Sequence, residues 1–492
     1  MESPATYLMQ LVLFLSFMFL LMQCSLEREL RSVVEMRTLD VALTLQASKP
    51  FHFAESSLNY EQQQQQKRGS FRLNLVHRDA NTSPFRLQNA TRQQLLKQRL
   101  IRDEARVKWI STPIHRLQAS ESSHLQSSSS RSSAEGLASP VLSGLSFGSA
   151  EYFVRLGVGT PAKPIYMVID TGSDVPWLQC KPCRRCYDQN DPIFDPKQSS
   201  SYQQLKCTSQ QCRQLTMRAC QDKQCMYEIF YGDGSFTAGN LAMETFSVGD
   251  SAVERVAFGC GHDNEGLFVG AGGLLGLGAG ALSFSSQASA SRFSYCLIDR
   301  ESGALNSSSA LIFGNASIPA GARFTRLLRN QKHATYYYVA LTGISVGGLR
   351  LPIRAEAFRL SASGGGGVII DSGTSVTRLA APAYYLLRNA FRQGTRHLPA
   401  ASGFSLFDTC YDFSRVKSVD VPTVAFHFAG AIDLQLQANN YLLPVDDSGT
   451  FCFAFAGTSL NISIIGNIQQ QGTRIAIDGQ ARRVAFIPQE CG

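Results

Sequence analysis

Short apolar runs recur along the chain from Glu151 onward: Tyr152–Val158, Ile165–Ile169, Met226–Tyr231, Arg255–Gly259, Tyr336–Ile344, Gly367–Ile370, Thr423–Phe428, Ile462–Ile465, Thr473–Ile477 and Arg483–Ile487. Many alternate or are rich in branched and aromatic residues, and clusters of Gly, Pro, Asp and Ser separate them, as strands and turns require. Helical periodicity is scarce; its best instance is Ala381–Phe391, with Pro382 in the first turn. The pattern predicts a mostly β fold with a few short helices.

The first 150 residues have another texture. The apolar run Leu8–Met22 is 15 residues long. That is short of the ~20 that cross a bilayer and suits a signal peptide removed near Cys24. Gln62–Gln66 is a glutamine run and Ser120–Ser133 a serine-rich tract. Between them Thr91–Trp109 fits a helix with one weak apolar stripe, Leu96, Leu100 and Val107, interrupted by Asp103. Residues 25–145 admit two readings: a disordered low-complexity arm, or a basic prosegment that covers an acidic cleft and is later removed.

At 492 residues the chain is too long for one core, and the expected count is about two to four structural units. With 44% hydrophobic and 17% charged residues it is not disordered overall. The net charge of +8 is concentrated near the start, where residues 25–150 hold 17 basic and 11 acidic side chains. Residues 151–492 hold 29 and 26, with no basic face or motif, so no nucleic acid partner is expected. Twelve of the 13 cysteines lie between Cys180 and Cys491, an even number that suits six disulfides in an oxidising compartment.

An internal repeat carries the candidate chemistry. Met167-Val168-Ile169 runs into Asp170-Thr171-Gly172-Ser173, and 201 residues later Val368-Ile369-Ile370 runs into Asp371-Ser372-Gly373-Thr374. Each triplet has a later echo of two apolar residues and a glycine, Leu274-Leu275-Gly276 and Ile464-Ile465-Gly466. An aspartate at the end of an apolar strand is costly unless donors meet its charge, and the neighbouring hydroxyls are placed to do so. Two such turns related by the repeat would bring two carboxylates together. A close pair cannot both ionise readily and shares one proton, the known behaviour of aspartic-protease dyads. The ionised member can activate water while the protonated member polarises a carbonyl.

These motifs resemble the pepsin-like aspartic endopeptidases. Within them the chain is similar to the nepenthesin-type plant branch, near the group called aspartic protease in guard cell. The resemblance covers residues 148–492 and rests on DTGSDVPWLQC, CYDQNDPIFDPKQSSSY, YGDGSFTAG, GCGHDNEGLF, FDTCYDFS, VPTVAFHF and IIGNIQQQGTRIAID. It implies a bilobal pepsin-like acid protease fold, two related six-stranded-barrel-like lobes with a catalytic cleft between them. It implies Asp170 and Asp371 as the catalytic pair, Thr171 and Ser372 as interlocking hydroxyls, and Ser173 and Thr374 as donors to the outer carboxylate oxygens. Gly172 and Gly373 complete the turns. Tyr231 and Gly232 match the flap, and Trp177 the indole that bonds the flap tyrosine. The expected organisation is a signal peptide over 1–24, a basic prosegment over 25–145, an N-terminal lobe over 146–325 with a cysteine-rich insert over 180–225, and a C-terminal lobe over 326–492. The resemblance also implies the pairs Cys180–Cys183, Cys186–Cys260, Cys207–Cys225, Cys212–Cys220, Cys296–Cys491 and Cys410–Cys452.

The implied activity is hydrolysis of polypeptides at acidic pH by a monomeric zymogen of the secretory pathway. Its prosegment would be its own inhibitor. No metal or cofactor is expected, and no membrane attachment once the signal is gone. Other signals carry less. Cys180-Lys181-Pro182-Cys183-Arg184-Arg185-Cys186 has metal-site spacing but reads as disulfides in a secreted chain. Gly157-Val158-Gly159 mimics a dinucleotide fingerprint, but Pro161 and Pro164 oppose the helix it needs. Gly144-Leu145-Ser146-Phe147-Gly148 lacks the strand and helix of a nucleophile elbow. His262 and His427 read as structural. Asn81, Asn89, Asn306, Asn315 and Asn461 open glycosylation sequons. The rival readings are a non-catalytic binding or inhibitor homologue of the same fold, and a two-carboxylate glycosidase.

Overall fold

A computed structural model of the chain describes residues 34–47, 70–80, 83–122, 151–231, 235–248, 251–266, 268, 270–288, 291–298, 309–460, 462–488 and 491. The signal-peptide run, the glutamine run, nearly all of the serine tract, Gly144–Gly148, Gly232, Asn81, Asn306 and Asn461 lie outside these residues.

The repeat seen in the sequence is a repeat in space. In the first lobe Lys163–Asp170 pairs antiparallel with Tyr152–Val158 and parallel with Gly273–Gly276, so Gly276 lies opposite Asp170. In the second, Val368–Ile370 pairs antiparallel with Tyr337–Val339 and parallel with Ser463–Ile465. Both apolar-apolar-Gly echoes are thus the strands that flank the aspartate strands. All residues of Val368–Ile370 and Ser463–Ile465 are buried, which is why Val368–Ile370 and Ile464-Ile465 read as unbroken apolar runs rather than alternating ones. Two four-stranded sheets, one around Leu341–Val346 and one around Cys410–Asp412, back the second lobe. The helix Ala381–Gly394 packs there through Ala383, Leu387 and Phe391, with proline in its first turn as the pattern predicts. Tyr336–Ile344, which reads as one run, is two strands. The chain leaves one sheet after Val339 and joins another at Leu341, through an irregular register with Phe428 and His427.

A six-stranded antiparallel sheet spans both lobes. Its order is Phe71–His77, Ala310–Phe313, Arg292–Cys296, Thr473–Asp478, Arg483–Pro488 and Phe324–Leu328. The edge strand comes from the N-terminal arm and also pairs with Tyr152–Val154. Its sequence alternates strictly: Phe71, Leu73 and Leu75 are buried, while Arg72 and Asn74 are exposed. That period of two was legible but is absent from the strands expected above. A second arm strand, Met36–Asp40, pairs with Ser418–Pro422 of the second lobe.

The arm is therefore built into the fold over its described residues, and the low-complexity reading does not hold there. Its helix, Arg92–Ser122, starts at a reciprocal cap: Gln94 N donates to Thr91 Oγ1 (3.2 Å) and Thr91 N to Gln94 Oε1 (2.9 Å). Leu96 and Leu100 enter a cluster with Val376, Phe407 and Ile468, and Val107 and Ile110 one with Tyr336, Tyr338 and Ile369. Asp103, which interrupts the stripe on paper, is itself buried.

Four disulfides differ from those the resemblance implies. Cys180 pairs with Cys260, because Trp177–Gln179 runs parallel beside Gly259–Gly261 and leaves their Cα atoms 5.3 Å apart. Cys183 and Cys186 then close a short loop between themselves. In the hairpin Arg218–Gln221/Gln224–Phe230, Cys220 lies opposite Cys225. Each reaches a separate partner in the insert, giving Cys207–Cys220 and Cys212–Cys225. Cys296–Cys491 and Cys410–Cys452 are as expected.

Leu100 is fully buried where the arm helix meets the second lobe. Leu100→Ala is expected to weaken helix docking by about 2–5 kcal/mol. Hydrogen exchange should quicken over residues 92–110 and stay unchanged in Val368–Ile370; unchanged exchange in both would show that this packing does not hold the helix.

Candidate active site

Each aspartate stands at the end of its buried strand, and the turn that follows supplies donors. Gly172 N donates to Asp170 Oδ1 (2.9 Å) and Gly373 N to Asp371 Oδ1 (3.2 Å). Thr374 Oγ1 donates to Asp371 Oδ2 (2.6 Å). The two turns lock together beneath the carboxylates. Ser372 N donates to Thr171 Oγ1 (2.9 Å), Thr171 N to Ser372 Oγ (3.3 Å), and the hydroxyls themselves are 3.2 Å apart. Both carboxylates are buried, Asp371 completely. Asn467 Nδ2 donates to Ser372 O and Gln470 Nε2 to Asp371 O, tying the second turn to the segment after Gly466.

Between the carboxylates lies a residue not singled out in the sequence, Arg106 of the arm helix. Its Nη2 is 2.5 Å from Asp170 Oδ1 and 2.9 Å from Asp371 Oδ1; Nε is 2.8 Å from Asp371 Oδ2 and Nη1 3.2 Å from Asp170 Oδ2. One guanidinium so meets four carboxylate oxygens, the bidentate geometry for which arginine is suited. The glycines of both turns make room for it: a Cβ on Gly172 would stand 2.3 Å from Arg106 Nη2, and one on Gly373 2.6 Å from Cζ. Burial pushes the Asp371 carboxyl up, but the charge and hydrogen bonds of Arg106, with those of Thr374 and Gly373, outweigh it and hold it below its ordinary value. Burial opposes the charge on Arg106, and the two carboxylates outweigh that too.

The dyad's expected symmetry is incomplete. Ser173 Oγ is buried without a hydrogen bond among the described residues, whereas its counterpart Thr374 bonds Asp371. Arg106 meets both oxygens of Asp170 as it does those of Asp371, but only the second turn adds a hydroxyl donor, so Ser173 does not bond its expected acceptor. The neighbouring Asp174 accepts from Gly280 N (2.9 Å) and Thr335 Oγ1 (2.7 Å), and burial raises its pKa.

The hairpin Gln224–Phe230/Phe236–Val248 carries Tyr231 at its tip, where Tyr231 N donates to Ser235 O. Trp177 Nε1 donates to the Tyr231 hydroxyl at 2.7 Å, and Phe268 packs edge-on against both rings. His262 and His427 lie elsewhere: Nε2 and Nδ1 of His262 meet Asn240 and Pro182, and the His427 ring meets Ser345 and Asp433. Asn89 and Asn315 are exposed.

The arm makes a second buried charge cluster against the first lobe. His77, Asp79 and Glu151 converge there, close enough to hold a metal, but guanidinium groups supply the positive charge. Arg99 lies 3.1 Å from Asp79 and 3.2 Å from Glu151, and Arg102 2.9 Å from Glu151. One helical turn before Arg106, Asp103 pairs with Arg378 of the second lobe at 2.6 Å. Burial raises the Asp103 pKa, opposed by Arg378 and by the amides of Ser375 and Val376. The sequence signal for these residues was charge on the apolar side of a helix, at Arg99, Arg102, Asp103 and Arg106.

Two family models match the chain, described as xylanase inhibitor N-terminal over residues 152–315 and xylanase inhibitor C-terminal over 336–488. Among curated relatives, aspartyl protease family protein 2 of Arabidopsis thaliana is 54% identical over 86% of this chain and 85% of its own length. Protein aspartic protease in guard cell 2, from the same plant, is 44% identical over 92% of each chain. Aspartic proteinase nepenthesin-2 of Nepenthes gracilis is 39% identical over 82% of this chain and 87% of its own. Among solved structures, that of edgp matches with a TM-score of 0.56 at 20% identity, covering 68% of this chain and 91% of that one. Basic 7S globulin from soybean matches at 0.54 and 19%, covering 68% and 92%. These last two bear on the fold alone.

A two-lobed β fold with one Asp-Thr/Ser-Gly turn from each lobe meeting at the interface defines a pepsin-like aspartic protease. The chain belongs to that family, in its nepenthesin-type plant branch, and is an aspartic-type endopeptidase.

Thr171→Val removes the acceptor of Ser372 N and one side of the hydroxyl bridge. A buried donor left without a partner costs about 1–3 kcal/mol. A lowered urea midpoint for the full chain is expected; an unchanged midpoint would show that the bridge adds nothing to stability.

Proposed function

We propose that Asp170 and Asp371 are the catalytic pair, and that the chain is a zymogen whose arm, expected over residues 25–145, occupies its own active site. The observation that carries the reading is the guanidinium of Arg106 between the two carboxylates. A substrate carbonyl and an attacking water need that position. The arm's net positive charge has a specific use there, and the dyad is intact behind it. The arm's contacts to the second lobe reach beyond the helix, since Met36–Asp40 adds a strand there. The even cysteine number and the leading apolar run support synthesis in the secretory pathway, and no helix among the described residues is long and apolar enough to cross a membrane. A monomer suffices, because one chain supplies both aspartates.

With the arm gone, the carboxylates repel and share one proton. The ionised member takes a proton from water as its oxygen bonds the peptide carbonyl carbon. The protonated member gives its proton to the carbonyl oxygen. The resulting diol collapses as the C–N bond breaks: the leaving nitrogen takes the proton won from water, and one diol hydroxyl returns its proton to the other aspartate, which restores the shared proton. Tyr231, steadied by Trp177, closes the hairpin over the extended substrate. The residues perform every step, without a covalent intermediate. The rival reading as a non-catalytic inhibitor homologue draws on the family models' description, but an inhibitor has no need of a paired, donor-supported dyad under its own plug. The glycosidase reading needs carboxylates on opposite faces of a sugar, whereas here one nitrogen touches both.

The full chain, acidified and mixed with denatured globin, is expected to cut it in a pepstatin-sensitive way. Asp371→Asn should lower turnover by at least about 10⁴-fold with an unchanged circular dichroism spectrum. Retained proteolysis by the purified variant would remove Asp371 from the mechanism.

The pH dependence follows from the same pair. Arg106 docking holds the Asp371 carboxyl below its ordinary value of 3.8, so the docked state binds protons less readily than the open one. Docking is then at full strength above the open dyad's pKa and weakens as pH falls through it toward the lowered one. Arg106 stays charged throughout. Arg106→Gln loses the ionic hold and should release the arm at higher pH, moving the onset of globin cleavage upward by roughly one pH unit. An onset that stays in place would show that the guanidinium does not set it.

A further inference from the structure

Asp103 is held in more than an ion pair. Its Oδ1 accepts from Ser375 N (2.5 Å) and Val376 N (3.3 Å), while Oδ2 lies 2.6 Å from Arg378 Nη2. The carboxylate is fully buried and the Arg378 side chain is 5% exposed. Two amide donors and one ion-paired guanidinium therefore converge on one anion. All three belong to the lobe, in the segment that runs from the Asp371 turn into the strand Thr377–Ala380. Arg378 Nη1 also donates to Val376 O at 3.2 Å, which fixes the guanidinium against its own backbone. Among the described residues no carboxylate other than Asp103 forms an ion pair with Arg378.

The position relative to the dyad is set by the helix. Asp103 and Arg106 are three residues apart, hence on one face and separated by about 4.5 Å along the axis. That is between one and two residues of an extended peptide, at about 3.4 Å each. When the arm leaves, the two amides and the guanidinium remain in the cleft, four to seven residues after Asp371 in the lobe. A buried arginine cannot discharge itself, so the site keeps its charge at every working pH. A buried donor set without an acceptor is costly, and a group that satisfies it gains in proportion.

We propose that Arg378, with the amides of Ser375 and Val376, is an acidic-side-chain subsite that sets cleavage specificity, and that Asp103 fills it in the unprocessed chain. The occupant it takes from a substrate is the carboxylate of an aspartate or glutamate within about two residues of the scissile bond. This rests on the aspartic reading of the dyad. It also gives a use to an acidic residue buried on the arm helix: the arm copies the ligand chemistry of the substrate it displaces. Arg378→Met removes the charge and keeps most of the stem.

The test uses the acid-processed full chain and pairs of quenched fluorescent octapeptides that differ only by Glu or Gln. The pair is moved through the four positions around the scissile bond. Assays run at about pH 5, where a glutamate carboxyl is mostly ionised. At one position the Glu peptide should be cut roughly tenfold more efficiently, and in Arg378→Met that ratio should fall to about one. Equal cleavage of both members at all four positions, or a ratio that Arg378→Met leaves unaltered, overturns the subsite and leaves the protease reading standing. If neither member is cut, the dyad reading is at fault, and the subsite is judged by binding alone. The free peptide spanning Arg92–Ile110 should then bind the acid-treated chain about tenfold more tightly than its Asp103→Asn form, and Arg378→Met should abolish the difference. Equal binding of the two peptides rejects the subsite.

Discussion

The interaction on which this structure depends is one guanidinium between two buried carboxylates. Two like charges at a lobe interface, both out of water, would repel and strain the contact that holds them. Arg106 cancels that repulsion with four short contacts, and both turns leave the space for it by carrying glycine. Removing one partner of such a buried set costs about 3–5 kcal/mol, which is why an always-charged arginine makes a durable clamp between the turns. In the proposed zymogen the same logic gives the plug its exit. The guanidinium has no proton to lose in any ordinary range, so the carboxylates must change state.

The arm converts that single contact into a folded element. The strand Phe71–His77 closes the edge of the sheet that spans the lobes, and the helix then crosses to the dyad. Between them the turn at Arg78 and Asp79 is pinned by Arg99 and by the cluster around Glu151. Glu151 is the first described residue after the arm, and it bonds arm side chains rather than its own lobe. Release of the arm would therefore break charge pairs on both lobes, at Glu151 and at Arg378.

Much of this was legible in the sequence, and the reason is geometric. Aspartate strands buried on both faces must read as unbroken apolar runs, and their parallel neighbours must too. That made Met167–Ile169, Val368–Ile370 and the two apolar-apolar-Gly segments visible as a repeat. The contact of Trp177 with Tyr231 was reached through the resemblance, since a separation of 54 residues hides a 2.7 Å hydrogen bond. The disulfides failed for a related reason. Cys180 and Cys183 are neighbours in sequence, but parallel pairing of Trp177–Gln179 with Gly259–Gly261 decides that Cys180 meets Cys260.

Asp103 marks the limit of reading by periodicity. A weak apolar stripe broken by an acid looks like a poor helix, and helix propensity alone would leave it marginal in water. Its worth appears only when the partner surface is known. Leu96 and Leu100 fit one hollow of the second lobe, Val107 and Ile110 another, and the charged residues between them meet Arg378 and the dyad. A segment selected to fit a polar cleft must carry polar residues on its buried face. The amphipathic pattern is then degraded in proportion to how closely the segment matches the cleft, so the most informative part of the arm is the part least recognisable as a packed helix.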